Sequence, residues 1–276
     1  MQNAPSPRRE IGVFDSGVGG FTVLRELRAL LPTARLRYLA DTAYAPYGSR
    51  TAEEIQARSF AISEHLIERG AGLIVIACNT ATAHAIDALR ARWPDLPFVG
   101  TEPGIKPAVA ASASGRIGLL ATPATAASAR LKALIERHAG GHAVTVQGCA
   151  GVVDHIEAGD LDSPALRALI ASHCAPLLTA GVDTALLGCT HYPLIEPLWQ
   201  SALGPGVKLM RIETAVARRA VDLWQPQQGE TASLAVETSG SPERLETWMA
   251  GVLGWQGIDV GAWAPESKNG QQSLTV

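Results

Sequence analysis

Cys78 and Cys189 each close a short apolar run, and each is followed by small polar residues and then a helical pattern. The two runs are Leu-Ile-Val-Ile-Ala-Cys78-Asn79-Thr80 and Thr-Ala-Leu-Leu-Gly-Cys189-Thr190-His191. A thiol between a strand's end and a helix's start faces backbone N–H groups and the positive end of the helix dipole, so a lowered pKa is expected at both positions. Moving a thiol from ~8.5 to ~7 takes only about 2 kcal/mol of preferential thiolate stabilisation. A single cysteine is ordinarily a small buried hydrophobe. Two in matching strand-turns point instead to a pair of acid/base groups. Acting on opposite faces of one carbon, such a pair can remove a proton from one side and return one to the other.

Further proton handlers lie near by. Asp15 opens Asp15-Ser16-Gly17-Val18-Gly19-Gly20, whose glycines let the backbone approach a ligand closely. A dinucleotide loop would need glycine where Thr22 stands, and a Walker loop would need Gly-Lys-Ser/Thr. His191 is two residues past Cys189, and Glu157 ends Val152-Val-Asp-His-Ile-Glu157. Pro46-Tyr47-Gly48 and Asn79-Thr80 read as turn and cap residues that gain interest by position. Asp41 and Asp154 are ambiguous. His138 and His142 flank Gly140-Gly141 and receive no metal, and His155-Ile-Glu157 lacks the P-C-x-x-C of a zinc deaminase. Cys149 and Cys174 do not follow a strand in the manner of the other two and are expected to be structural. With no C-x-x-C pair, all four cysteines are expected as free thiols.

Positioning these residues requires strands that alternate with helices. Strand-like runs fall at 11–14, 36–39, 73–77, 98–99, 117–121, 144–146 and 185–187, with amphipathic stretches at 51–69, 81–92, 125–138 and 164–180. The alternation specifies an α/β fold with largely parallel sheets, and ligands in such folds lie beyond the carboxyl ends of the strands. Breaks near Thr101 to Pro107 and at Gly204-Pro-Gly divide the chain into two similar lobes. Residues 1–101 with 208–276 form the lobe of Asp15 and Cys78; residues 102–207 form the lobe of Glu157, Cys189 and His191. The two cysteine turns, roughly 110 residues apart, suggest an internal duplication with one turn per lobe.

In 276 residues, 47% hydrophobic and 18% charged, a substantial core is available. A net charge of −3, with no Lys/Arg run beyond Arg8-Arg9 and Arg218-Arg219, argues against nucleic acid. No apolar stretch is long enough to span a membrane, and Met1 to Glu10 lacks a signal's apolar core, so a cytoplasmic protein is expected. The polar tail from Pro265 is expected to fray.

Taken together, the motifs resemble the glutamate racemase family from about Ile11 to Ala217. They are Phe-Asp15-Ser16-Gly-Val-Gly-Gly, Pro46-Tyr47-Gly48, Ala-Cys78-Asn79-Thr80-Ala, Glu102-Pro103 with Lys106-Pro107, Ala121-Thr122-Pro-Ala-Thr125, Glu157 and Gly-Cys189-Thr190-His191-Tyr-Pro. The resemblance implies a two-lobed, cofactor-independent isomerase with its site in the cleft. It would interconvert L- and D-glutamate for peptidoglycan synthesis, and so serve cell-wall biogenesis and cell shape, as a homodimer whose arrangement these residues do not specify. It assigns acid/base work to Cys78 and Cys189, with Asp15 assisting the first and Glu157 and His191 the second. It assigns glutamate binding to Asp15, Ser16, Pro46, Tyr47, Gly48, Asn79, Thr80, Thr122, Thr125, Thr190 and His191. One departure is Glu213-Thr214-Ala215, where the family often has Asp-Ser-Ala.

The residues leave rivals open. Aspartate is the nearest alternative substrate. A pyridoxal-phosphate racemase would have to use one of only four lysines, with Lys106 the candidate. A cysteine hydrolase built on Cys189 and His191 leaves Cys78 unexplained. A two-lobed binding protein would bind glutamate and leave its optical rotation unchanged.

Overall fold

The computed structural model describes residues 10–225 and 231–265. The expected fraying of the tail therefore concerns residues that, Pro265 apart, lie outside the described ones. Two parallel sheets carry the fold. The first has six strands in the order β10-β9-β2-β1-β3-β4, and the second four in the order β6-β5-β7-β8. In the first, β1 (Glu10–Asp15) lies between β2 (Arg35–Ala40) and β3 (Ala71–Ile76), with β4 (Phe98–Gly100) at one edge and β9 (Ser233–Thr238) and β10 (Val260–Ala262) at the other. In the second, β5 (Arg116–Ala121) pairs with β6 (Ala143–Gly148) and β7 (Thr184–Leu187), and β8 (Lys208–Met210) closes the edge beside β7. Residues 208–210, assigned by sequence to the first lobe, thus hydrogen-bond within the second sheet.

Helices separate the strands, as parallel pairing requires. Those of the first sheet are α1 (Phe21–Leu30), α2 (Ala52–Glu68), α3 (Asn79–Arg92), and, near the end of the chain, α10 (Glu213–Leu223) and α11 (Pro242–Trp248). Between them come α4 (Ile105–Ala111), α5 (Pro123–Ala126), α6 (Ala129–His138), α7 (Val152–Glu157), α8 (Pro164–Thr179) and α9 (Glu196–Leu203). The stretch read as one helix over 125–138 is two, because Ser128 breaks it. Its hydroxyl donates to Thr125 O and accepts the Leu131 N–H, so it caps α6 instead of continuing α5.

One apolar cluster runs from Val13 and Tyr38 of the first sheet and Phe21 of α1 to Leu187 of the second sheet, Ile156 of α7 and Trp199 of α9. Each sheet buries its other face in a separate cluster, around Phe14 and Ile76 or around Leu119 and Leu186. The lobes therefore share a core, and the carboxyl ends of β1, β3, β5 and β7 meet above it. No helix among the described residues is long and apolar enough to cross a membrane.

Candidate active site

Each cysteine stands where its strand stops. Cys78 caps α3, accepting the Ala81 N–H on sulfur at 3.4 Å. Cys189 follows β7 and Gly188, and His191 opens the short 3-10 turn Tyr192–Ile195. Both cysteines are only 5% exposed. Cys149, read as not following a strand in the manner of the other two, comes directly after β6, with its thiol turned back to donate to Gln147 O. Cys174 lies buried within α8.

Around Cys78 the contacts form a chain. The thiol donates to Ser16 Oγ at 3.7 Å, and Ser16 Oγ donates to Asp15 Oδ1 at 3.3 Å. The same Asp15 oxygen accepts the Gly17 N–H at 2.8 Å, while Oδ2 accepts the Thr190 hydroxyl from the opposite lobe at 2.9 Å. Asp15 is wholly buried, and burial raises its pKa to about 6 against the opposing charge of His191. The lowered pKa expected at Cys78 is overturned: burial, seconded by the Asp15 charge, pushes the thiol up to about 12. The helix terminus contributes the Ala81 N–H to sulfur, and that is too little to offset desolvation.

Around Cys189 the chain is shorter. Its Sγ lies 3.7 Å from His191 Nδ1, and His191 Nε2 lies 2.6 Å from Glu157 Oε1. A ring nitrogen so close to a carboxylate carries hydrogen, so Nε2 donates to Glu157. The Gly19 N–H, 3.2 Å from that nitrogen, is then a dipole packed against the ring and not a donor to it. Burial opposes a charge on His191, yet the contacts with Cys189 and Glu157 outweigh it and hold the imidazole pKa well above its usual value. Glu157 Oε1 also accepts the Val18 N–H at 2.8 Å. Thiol, imidazole and carboxylate in a row suit covalent cysteine chemistry as well as proton transfer.

The other candidates divide. Thr80, Thr122 and Thr125 join their hydroxyls at 2.9 to 3.1 Å, linking the start of α3 to α5 across the lobes. Gly48 abuts Thr122: a Cβ there would stand 3.0 Å from the threonine's Cβ. Tyr47 donates its phenol to Asp41 Oδ2, an acceptor that Arg58 also holds through Nε at 2.9 Å. The Pro46–Gly48 segment thus offers backbone, and Asp41 is a structural anchor. Asn79 donates Nδ2 to Thr101 O while its buried Oδ1 has no partner, an acceptor awaiting a donor. Asp154 and Lys106 are exposed, and Glu102 binds Arg130. Thr22 and Tyr38 were missed by sequence reasoning. Thr22 Oγ1 donates to Gly19 O and Thr190 O, and the Tyr38 hydroxyl to Gly17 O.

Two α/β lobes built on parallel sheets thus bring together two buried thiols, each in contact with a hydrogen-bonded chain that ends on a carboxylate. The chain belongs to the Asp/Glu/Hydantoin racemase family, whose model matches residues 22–220, and is an isomerase of the amino-acid racemase class. It is 50% identical over 238 residues to a glutamate racemase of Herpetosiphon aurantiacus, covering 84% of this chain and 93% of that one. A glutamate racemase isoform of Bacillus anthracis superposes with a TM-score of 0.86 at 29% identity, covering 95% and 98% of the two chains. The Escherichia coli glutamate racemase in complex with L-glutamate and the activator UDP-MurNAc-Ala gives 0.81 at 33% identity, over 93% and 98%.

Proposed function

We propose that this chain interconverts L- and D-glutamate through Cys78 and Cys189 and so supplies D-glutamate for peptidoglycan synthesis in the cytoplasm. The observation that carries the reading is the pair of opposed relays: Cys78–Ser16–Asp15 from one lobe and Cys189–His191–Glu157 from the other. Glutamate as substrate is supported by the relatives' activity and by the donors of the cleft. These are the N–H groups that open α3, the Thr80, Thr122 and Thr125 hydroxyls and the Gly48 backbone, all suited to carboxylates. Asp15 and the unpartnered Asn79 Oδ1 suit an ammonium group.

With L-glutamate, Cys189 starts as thiolate against the protonated His191 and Cys78 starts as thiol. The Cα–H bond breaks toward the Cys189 sulfur, the electron pair passes into the α-carboxylate, and the Cys78 proton is delivered to the opposite face. Reversing the roles converts D-glutamate. The chemistry needs neither metal nor pyridoxal phosphate, so turnover is expected to survive a chelator. The family resemblance extends the reading to a homodimer, which sedimentation at working concentration decides.

The test is racemisation followed by circular dichroism, with L-glutamate and L-aspartate in separate runs. In heavy water the product enantiomer should gain deuterium at Cα while substrate recovered early keeps its hydrogen. Cys78→Ala and Cys189→Ala should each abolish racemisation in folded protein. A Cys78→Ala variant that still racemises near the parent rate overturns the two-cysteine reading, and faster turnover of aspartate overturns the substrate.

A further inference from the structure

The glycine loop between β1 and α1 is held from two sides. On the cleft side it lies against the Cys189 relay: an added Cβ at Gly17 would stand 1.8 Å from Glu157 Oε1, and one at Gly19 would stand 2.3 Å from His191 Nδ1. Its N–H groups complete that contact, Val18 to Glu157 at 2.8 Å and Gly19 against the His191 ring at 3.2 Å. On the sheet side it rests on Tyr38. A Cβ at Gly20 would come within 2.7 Å of the Tyr38 hydroxyl, which donates to Gly17 O at 2.6 Å. Tyr38 cannot yield, because it is wholly buried in β2 and its ring packs at 4.4 Å on Phe21, the first residue of α1. Burial, with the charges of Asp15 and Glu157 beyond it, holds the phenol well above its usual pKa, so the hydroxyl remains a donor.

We propose that Tyr38 is a positioning residue for the reaction: by fixing the Gly17 carbonyl it sets the height of the glycine loop and hence the alignment of Glu157 and His191 behind Cys189. The inference rests on the two-cysteine reading above and sharpens it, since it singles out one thiol. Tyr38 touches neither sulfur. It acts through a loop that meets both relays, Ser16 and the Gly17 N–H on the Cys78 side and Val18 and Gly19 on the Cys189 side. Ser16 and Asp15 are held by the end of β1, so the larger effect of its loss falls on proton handling at Cys189, and the threonine cluster of the cleft is left alone.

The two enantiomers have equal free energy in water, so kcat/KM must be the same in both directions for any variant. With kcat/KM so constrained, the isotope effects are what report which of the two proton transfers has slowed. When the Cys189 step becomes slower, the α-deuterium effect rises for the enantiomer whose proton Cys189 removes. It falls for the other, whose own deprotonation is no longer limiting.

The experiment is Tyr38→Phe in the full chain, with both enantiomers and their α-deuterated forms. Expected is a kcat lower by ~10- to 100-fold in both directions, the cost of a small misplacement, with KM nearly unchanged. The two isotope effects should move in opposite senses. On a Glu157→Gln background the same change should cost little further, because the relay it serves is already broken. Parent-like kcat, isotope effects that move together, or an undiminished loss on the Glu157→Gln background overturns the inference. The racemisation of the parent stands apart as the test of the underlying reading. Should Tyr38→Phe fail to fold, 3-fluorotyrosine at position 38 alters donor strength with little change of shape. The ratio of the two isotope effects then shifts if the inference holds and keeps the parent's value if it does not.

Discussion

Asp15 is held at a cost. Its pKa is raised from 3.8 to about 6, so the folded protein binds a proton more readily there than the unfolded chain does. Below 3.8 both states are protonated and the cost is absent; it grows as pH rises and is complete above about 6. By linkage the full cost is about 3 kcal/mol, an order-of-magnitude figure for a wholly buried group. Asp15→Asn should therefore be more stable than the parent at neutral pH and lose that advantage in acid, as urea unfolding at both pH values would show. The charge is retained because it orders the site: the carboxylate accepts from Ser16, Gly17 and Thr190. Accordingly kcat/KM of the parent should decline as pH falls through about 6, and Asp15→Asn should be slow at every pH without that limb. A variant as active as the parent, or a parent without an acid limb, removes Asp15 from the relay.

At the scale of elements, the loop Ser16–Gly20 shows what a cleft residue needs from the chain. An alanine at Gly17 would collide with Glu157 Oε1, the free end of a side chain that can swing aside. Gly17→Ala should then keep the fold, with a melting temperature near the parent's, while kcat drops by ~10²-fold, the scale of one lost acid–base contribution. An equal loss of stability and activity would mean that the loop serves folding alone. The glycines were legible in the sequence as a close-approach loop, but what they approach was not. Glu157 is 139 residues from Val18 and His191 172 from Gly19, and no local pattern encodes such pairs. The elements divide by the same logic. The helices that Thr51 and Ser163 cap were found from their periodicity. Helix α1 starts after Gly20 and α10 after Ile212 with no side-chain cap, so the signal that would have marked them is missing. The position of Cys78 at a helix start was readable, whereas its raised pKa was not, because burial is a property of the whole fold.

Both thiols are nearly sealed from solvent, and on the proposed reading glutamate enters and leaves as the lobes part. The contacts to be broken include the Thr80–Thr122 and Thr190–Asp15 bonds inside the cleft and an ionic clasp at its edge. In that clasp Arg130 of α6 donates Nη1 to Asp87 of α3 at 2.7 Å and Nε at 3.0 Å to Glu102, which lies where the chain passes from the first sheet to the second. The clasp lies outside both cysteine relays and is partly solvated, with the Arg130 side chain 22% exposed; on the proposed reading it favours the closed state. Such pairs are worth about 1 kcal/mol or less and are screened by salt. Arg130→Ala should therefore raise KM for glutamate by roughly threefold to fivefold with kcat nearly constant, the effect of about 1 kcal/mol withdrawn from closure. Because kcat/KM must match for the two enantiomers, the rise should appear equally with L- and D-glutamate. Added salt should carry the parent toward the variant while the variant itself stays flat. If kcat falls and KM holds, Arg130 acts on the chemistry of the closed cleft and not on the motion that seals it.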